Sequence, residues 1–181
     1  MSGTDRKNRS GFTLVELLVV IAIIGLLASL TVPIAGRAAS GSKKRKAQME
    51  ANSLKVSVQQ YAQDHHFMPW TEKSKVGDDK WALTDDSAWM EVIQGENVLK
   101  KNYFAAKTDD EGKFLDPWGH PYYVGMDRNQ DGYVKGKADG GGADIDGAGK
   151  IVRETVGVFC LGPDGLPGTK DDITTFDWVS E

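Results

Sequence analysis

The distribution of apolar residues divides the chain into two parts. Between Phe12 and Ile34 the chain runs for 23 residues with Glu16 as its one charge, and a helix that spans a bilayer needs roughly 20 apolar residues. A helix that is apolar on every face must lie in lipid or in a large protein core, and 181 residues are too few to build such a core. The pattern therefore predicts a membrane-spanning helix over residues 12–34.

From residue 43 onward the apolar positions form a stripe. Its members recur at steps of three and four residues, which places them on one face of a helix: Ala47, Ala51, Leu54, Val58 and Tyr61. We expect this half to continue the first helix, with an interruption or loosening around residues 33–41, and to pack its stripe on a globular domain. A coiled coil is the alternative, but the stripe covers only about three heptads. We predict an N-terminal spine helix over residues 12–64 and a globular domain over residues 65–181.

The globular part contains local signals for both helix and strand. Three residues with capping side chains, 85–87, precede a short apolar run that is typical of a helix. Residues 155–161 alternate as a strand does, with Val156, Val158 and Cys160 on one face. The predicted fold class is α+β: a long N-terminal spine helix packed on a small antiparallel sheet.

Composition and charge narrow the class of protein. The chain has one cysteine, Cys160, so an exported domain would have no internal disulfide. A net charge of -4 argues against nucleic acid as a partner. His65 and His66 lack the spacing of a helical metal pair. Because three histidines and one cysteine give no recognisable set of nucleophile, base and orienting group, we predict that the protein is not an enzyme.

Glu16 is the unusual residue of the apolar stretch. A carboxylate in the hydrocarbon region needs a partner or a proton, and no Lys, Arg or His lies between residues 12 and 34. Cleavage after Gly11 would create an amine at Phe12 that could pair with Glu16 of the same chain or of a neighbour. Composition alone also allows a secretory signal peptide cut within the small residues 33–41.

The string GFTLVE at residues 11–16, followed by the apolar helix, resembles the N-terminal signature of type IV pilin-like proteins. The strings YAQDHHFMP at 61–69 and DPWGHPY at 116–122 resemble those of the type II secretion system major pseudopilin family. The resemblance implies that residues 1–11 are a prepilin leader, cut after Gly11 by prepilin peptidase, and that Phe12 becomes N-methylated. It also implies that Glu16 pairs with the Phe12 amine of the adjacent subunit during assembly.

The same resemblance implies a function, partners and a location. The chain would be a structural subunit of a type II secretion pseudopilus, a homo-oligomeric fibre that drives protein export across the outer membrane. Its partners would be minor pseudopilins, an inner-membrane assembly platform and prepilin peptidase. It would cross the inner membrane once, with its C-terminal domain in the periplasm. The basic residues 43–46 conflict with the positive-inside rule, and the resemblance decides the orientation. A type IV pilus subunit and a membrane-anchored adhesin or binding domain are the alternatives.

One candidate cation site is the DRNQDG loop, residues 127–132. It places Asp127, Asn129 and Asp131 at positions 1, 3 and 5 of a calcium loop, with a glycine at position 6. Position 12 is Ala138, where such loops have a bidentate Glu. A second metal site and a hairpin loop without metal therefore both remain open.

The other candidate is the C-terminal loop, residues 161–173, which concentrates three carboxylates between glycines and prolines. Crowded carboxylates repel, and a divalent cation would offset that repulsion; a plain turn is the alternative. The loop resembles the calcium loop of the major pseudopilins, which implies Ca²⁺ as a cofactor. The implied ligands are the side chains of Asp164, Asp171 and Asp172 and the backbone carbonyls of Leu161 and Leu166.

Overall fold

The computed structural model describes residues 12–69, 79–135 and 150–180. The elements in these residues are α1 (Leu14–His65), β1 (Lys80–Leu83), α2 (Ser87–Ile93), β2 (Tyr123–Met126), β3 (Val134–Lys135), β4 (Lys150–Val152), β5 (Val156–Cys160), β6 (Ile173–Thr174) and β7 (Trp178–Ser180). The chain divides into two compact units, Met1–Gly41 and Ser42–Glu181, and α1 contributes residues to both.

In the first unit, α1 turns its apolar side chains outward. Every side chain from residue 12 to residue 29 is exposed. The predicted leader, including Gly11, lies outside the described residues. No helix in the part of the chain that the structure describes combines the length and the apolar character needed to cross a membrane. The span predicted over residues 12–34 is therefore not confirmed and stays a prediction.

In the second unit, α1 buries the predicted stripe. Its five residues, Ala47, Ala51, Leu54, Val58 and Tyr61, are at most 3% exposed. Hydrogen bonds accompany this packing: Gln48 Nε2 donates to the Thr174 carbonyl at 3.4 Å, and the Tyr122 hydroxyl donates to Glu50 Oε2 at 2.8 Å. Residues 42–65 share a compact unit with the globular domain because their apolar face is part of its core.

The larger sheet is antiparallel, with the strand order β1-β2-β5-β6. Val124 pairs with Val158, and both belong to the core cluster that contains the α1 stripe. Tyr123 pairs with Phe159, and both belong to a second cluster on the opposite face. Because successive side chains of a strand point to opposite faces, β5 is buried at every position. The predicted α+β fold, with a helix packed on an antiparallel sheet, is confirmed.

A second sheet, with the order β3-β4-β7, was not predicted. Its Val134 and Val152 pack in the second cluster with Trp81 and Phe176. Gly157 allows this close approach, since a Cβ there would lie 2.8 Å from Phe176 Cδ1. Strands of two or three residues give too little alternation to recognise in a sequence.

Helix α2 forms where the capping residues predicted it. Asp86 is the N-cap, and its side chain accepts a hydrogen bond from the Ala88 N–H at 3.0 Å. Trp89, Met90 and Ile93 are at most 1% exposed. The helix therefore adds its apolar face to the same core as α1.

Candidate functional site

Thr13 and Glu16 cap the N-terminus of helix α1. The Thr13 N–H and hydroxyl both donate to Glu16 Oε2 at 2.8 Å, and the Glu16 N–H lies 3.3 Å from Thr13 Oγ1. This arrangement is a capping box, in which the N-cap residue and the residue three positions later satisfy each other's backbone N–H groups. The Thr-x-x-Glu spacing ahead of an apolar run is its signal, which our sequence-based account of Glu16 missed.

Phe12 lies beside this pair at the exposed end of the helix. Its side chain is 82% exposed, and Glu16 is exposed as well. The hydrogen bonds to the Glu16 carboxylate among the described residues all involve Oε2. Oε1 accepts no hydrogen bond from a described residue.

The C-terminal loop folds around the hydroxyl of Thr169. Thr169 Oγ1 donates to Asp171 Oδ1 at 2.6 Å, and it lies 3.3 Å from Asp172 Oδ1 and 3.4 Å from the Leu166 carbonyl oxygen. Asp164 joins the group, because its N–H lies 3.3 Å from Asp171 Oδ2 and its Oδ1 accepts from the Leu166 N–H at 2.9 Å. Asp171, Asp172 and the Leu166 carbonyl thus meet at Thr169, which was not predicted, and Asp164 contacts Asp171 through its backbone N–H.

Asp171 and Asp172 have different electrostatic environments. The Thr169 hydroxyl holds the pKa of Asp171 below its usual value. Burial raises the pKa of Asp172, and the neighbouring charge of Asp171 adds to this effect. The ion pairs formed within residues 12–69, 79–135 and 150–180 include none of the loop's carboxylates. The loop therefore carries negative charge that no described side chain neutralises.

Gly162 lets the two ends of the C-terminal loop approach each other. It has φ +69°, and a Cβ at this position would lie 2.5 Å from the Asp171 carbonyl oxygen. The preceding Leu161 is 7% exposed and packs in the second apolar cluster. Leu161, one of the two residues predicted to contribute a carbonyl ligand, is thus buried. The other, Leu166, is 60% exposed at the outer end of the loop.

His120 supports the C-terminal loop from a neighbouring turn. Its Nδ1 lies 3.1 Å from the Gly162 carbonyl oxygen, and a Cβ on Gly165 would lie 2.9 Å from its Nε2. The turn is ordered by Asp116, whose Oδ1 accepts the N–H groups of Trp118 at 2.8 Å and His120 at 2.9 Å. The sequence assigned His120 no partner, because Gly162 is 42 residues away.

Cys160 is a core residue, as predicted. It is 0% exposed, and its thiol donates to Asp116 Oδ2 at 3.0 Å. Burial and the hydrogen bond to Asp116 raise the pKa of the Cys160 thiol. A buried thiol with a raised pKa is a poor nucleophile, so its role here is to join β5 to the turn at Asp116.

The DRNQDG loop is held together by its own side chains. Asp127 is 1% exposed, and its two oxygens accept from the N–H groups of Gln130 at 2.6 Å and Gly132 at 2.9 Å. Asn129 Nδ2 donates to Asp131 Oδ2 at 2.8 Å, and Asn129 Oδ1 accepts from the Asp131 N–H at 3.0 Å. The amide oxygen of Asn129 is thus engaged within the loop.

Asp79, just before β1, is the group that the sequence did not reveal. One carboxylate oxygen from each of Asp79, Asp127 and Asp131 lies within 4.8 Å of the other two. The three carboxylates of the C-terminal loop do not form such a group among the described residues. Asp79 was missed because it lies in a distant part of the sequence, with no motif of its own.

Comparison with known proteins gives two kinds of match. Residues 6–32 match the family model described as the prokaryotic N-terminal methylation motif. The type IV major fimbrial protein FimA of Dichelobacter nodosus is 28% identical over 119 residues, which cover 63% of this chain and 74% of that protein. No solved structure matches the chain. The methylation motif covers the residues 11–16 on which the predicted leader cleavage rests.

Longer matches connect the whole chain to one family. The type II secretion system core protein G of Pectobacterium carotovorum is 32% identical over 171 residues, covering 94% of this chain and 86% of the relative. The protein of the same name from Escherichia coli K12 is 29% identical over 180 residues, covering 97% and 95%. These matches confirm the resemblance found in the sequence, and the chain belongs to the type II secretion system core protein G family of pseudopilins.

Proposed function

We propose that the chain is a structural subunit of a type II secretion pseudopilus that assembles through its N-terminal helix and drives protein export across the outer membrane. The observation that carries this proposal is the contrast between the two halves of α1. Its first half exposes every described apolar side chain, whereas its second half buries one apolar face in the core of a folded domain. An exposed apolar surface of this extent marks a contact with lipid or with other proteins.

The exposed first half of α1 would lie first in the inner membrane and later in the fibre. In the inner membrane, residues 12–34 would form the single span, with the domain in the periplasm; the 23-residue length and the single charge support this. In the fibre, the same side chains would pack against those of neighbouring copies. Minor pseudopilins and an inner-membrane assembly platform would be the further partners. A non-enzymatic role follows from this use of the chain.

Processing would prepare the end of the helix for assembly. Prepilin peptidase would cut after Gly11, and the new Phe12 amine would be methylated; the match to the methylation motif supports this. Glu16 would then pair with the Phe12 amine of the adjacent subunit. The capping box supports this role, because Thr13 holds the Glu16 carboxylate at the exposed end of the helix.

We also propose that the C-terminal loop binds Ca²⁺. Asp164, Asp171 and Asp172 would hold it with the carbonyls of Leu161 and Leu166. The donor set supports this, because every donor is an oxygen, as Ca²⁺ prefers. Burial is the main cause of the raised pKa of Asp172, and the charge of Asp171 adds to it, so a cation beside these two carboxylates would be favoured. Bound Ca²⁺ would supply the positive charge that links the two ends of the loop.

Intact-mass analysis of the protein from native membranes tests the processing. Cells with and without prepilin peptidase should give, respectively, a chain that begins at methylated Phe12 and a chain that retains the leader. A chain beginning at Met1 in both, or beyond Ala35, would overturn the proposal of a fibre subunit.

Thermal unfolding tests the calcium proposal. Ca²⁺ at about one hundred times its dissociation constant should stabilise the purified full-length protein by about 2.7 kcal/mol relative to a chelated sample. An Asp171→Asn and Asp172→Asn double variant should lose the share of this difference that comes from the C-terminal loop. The exposed Asp110→Asn is the matched control and should keep it.

A type IV pilus subunit is the second candidate, and the match to the fimbrial protein is the observation that favours it. The two functions differ in where the fibre lies and in which property, protein secretion or surface fibres, disappears when the chain is deleted. Deletion should abolish protein secretion while leaving surface fibres unchanged if the chain is a pseudopilin. Loss of surface fibres with normal secretion would instead establish the pilus.

A further inference from the structure

Asp79 and the DRNQDG loop bring together three carboxylates from two separate parts of the chain. Their oxygens lie within 4.8 Å of one another, close enough to bind one cation. Asp127 and Asp131 come from the loop, and Asp79 comes from the residue before β1. The ion pairs formed among the described residues include none of the three. Three negative charges are thus crowded together without a described positive partner.

Asp79 supplies an observation that is independent of this crowding. Its Oδ1 has less than 1 Å² of exposed surface and no hydrogen-bond partner that meets the usual geometry among the residues that the structure describes. Its Oδ2 accepts from the Lys135 N–H at 2.9 Å, which fixes the carboxylate in place. Leaving a buried polar atom without a partner is unfavourable, and more so if the group is charged. A ligand that meets this oxygen would remove that cost.

The loop has the residue spacing of the first half of a calcium loop. Asp127, Asn129 and Asp131 are at positions 1, 3 and 5, and Gly132 at position 6 has φ +92°, as the sharp turn requires. The acidic ligand that usually ends such a loop is absent from the sequence, because Ala138 occupies its position. Asp79 provides a carboxylate from outside the loop.

We propose that Asp79, Asp127 and Asp131 form a second cation site, separate from the C-terminal loop, in which Asp79 replaces the missing terminal ligand of a half calcium loop. The ligand is a hard divalent cation of the Ca²⁺ type, because all the side-chain donors are carboxylate oxygens. Binding ties the segment before β1 to the segment before β3.

The test uses the full-length protein and isothermal titration with CaCl₂ after removal of metal by a chelator. The wild type should bind two equivalents of Ca²⁺. The Asp171→Asn and Asp172→Asn double variant, which disables the proposed C-terminal site, should bind one. In that background, Asp79→Asn should weaken the remaining affinity at least tenfold. Asp110→Asn, an exposed carboxylate outside the site, should leave it unchanged.

Asp131→Asn tests whether a loss of binding could come from unfolding. Asp131 is exposed, so its replacement should not disturb the core. It should weaken binding as Asp79→Asn does, with an unchanged circular dichroism spectrum. The proposal is overturned if the double variant is folded and binds no Ca²⁺, or if Asp79→Asn binds as tightly as Asp110→Asn. Failure of the C-terminal site alone would give a different result: the wild type and the double variant would both bind one equivalent.

Discussion

Thr13 and Glu16 hold each other in place at the start of α1, with the Glu16 Oε2 atom 2.8 Å from both the N–H and the hydroxyl oxygen of Thr13. The charge proposed for assembly is therefore also a helix cap. The amine of a neighbouring subunit would approach a carboxylate that Thr13 already orients. The side chain of Glu16 would therefore lose little further conformational entropy on assembly. Three substitutions separate the two roles.

Glu16→Gln should keep the capping box, because Gln serves equally at this position, but it removes the charge. Glu16→Ala should lose both the capping box and the charge. Thr13→Val keeps the charge and should cost the helix about 1 kcal/mol through loss of the N-cap oxygen. Cross-linking of fibres and secretion assays should show assembly lost in both Glu16 variants and retained in Thr13→Val. Normal assembly of Glu16→Gln would show that the charge is not needed.

Gly162→Ala should destabilise the domain more than Gly119→Ala does. Both glycines have positive φ, +69° and +97°, which costs a residue with a Cβ about 1–2 kcal/mol. A Cβ at residue 162 would also lie 2.5 Å from the Asp171 carbonyl oxygen, whereas one at residue 119 meets nothing within 4 Å. We expect Gly162→Ala to lower the free energy of unfolding by about 3 kcal/mol and to weaken Ca²⁺ binding. If chemical denaturation shows that Gly162→Ala and Gly119→Ala lose the same free energy of unfolding, the predicted clash with Asp171 is wrong.

Tyr122→Phe should weaken the attachment of the sheet to α1. Tyr122 is 0% exposed, and its hydroxyl donates to Glu50 Oε2 at 2.8 Å. Hydrogen bonds to charged groups contribute about 1.5–3 kcal/mol, so the variant should lose about 2 kcal/mol in urea unfolding. Glu96→Gln is the control, because Glu96 pairs with Lys100 where both side chains are over 70% exposed, and should change stability by less than about 1 kcal/mol.

Asp64→Asn should destabilise the protein at neutral pH but not in acid. Asp64 Oδ2 accepts from Lys101 Nζ at 2.6 Å and from the Tyr103 hydroxyl at 2.8 Å. The hydrogen bond from Lys101, and then that from Tyr103, lowers the pKa of Asp64 in the folded state. The stabilisation is thus complete above the unfolded pKa of about 3.9 and is lost as the pH falls through the folded pKa.

Melting temperatures of the wild type and Asp64→Asn should therefore differ at pH 7 and converge as the pH falls below the unfolded pKa of about 3.9 and through the lowered folded pKa. Asp110→Asn removes an exposed carboxylate and should follow the wild type throughout. A difference that persists unchanged in acid would mean that Asp64 acts through packing instead of charge.

Cys160 should react with a thiol reagent only when the domain unfolds. The thiol is 0% exposed, and burial raises its pKa, so little thiolate is present at pH 8. Labelling should be negligible in buffer and complete in guanidinium chloride. Cys160→Ser retains a donor for Asp116, while Cys160→Ala leaves Asp116 Oδ2 without it and should be the less stable variant. Rapid labelling of the native protein would contradict this burial.

Features that depend on neighbouring residues were accessible from the sequence. The stripe from Ala47 to Tyr61 predicted the buried face of α1, because helix geometry alone puts residues three and four apart on one face. The cap of α2 at Asp86 and the strand β5 followed from equally local rules. The capping box of Thr13 and Glu16 was of the same kind, and its spacing was readable in the sequence.

Contacts between distant segments were not accessible in this way. The meeting of Asp79 with Asp127, and that of His120 with Gly162, depends on how strands pair and which loops that pairing places side by side. The small sheet β3-β4-β7 was missed for the same reason, since its short strands form only when partners from elsewhere in the chain supply their hydrogen bonds.

The helical first element, the leader motif and the acidic loops could be predicted from the residues alone, because periodicity and spacing act over a few residues. Which acidic side chains lie close together depends on the folded chain, because the neighbours of a carboxylate in space are set by the burial of apolar faces elsewhere. That is why Thr169 joins the C-terminal loop by local hydrogen bonds, whereas Asp79 reaches the DRNQDG loop only once β1 has paired with β2.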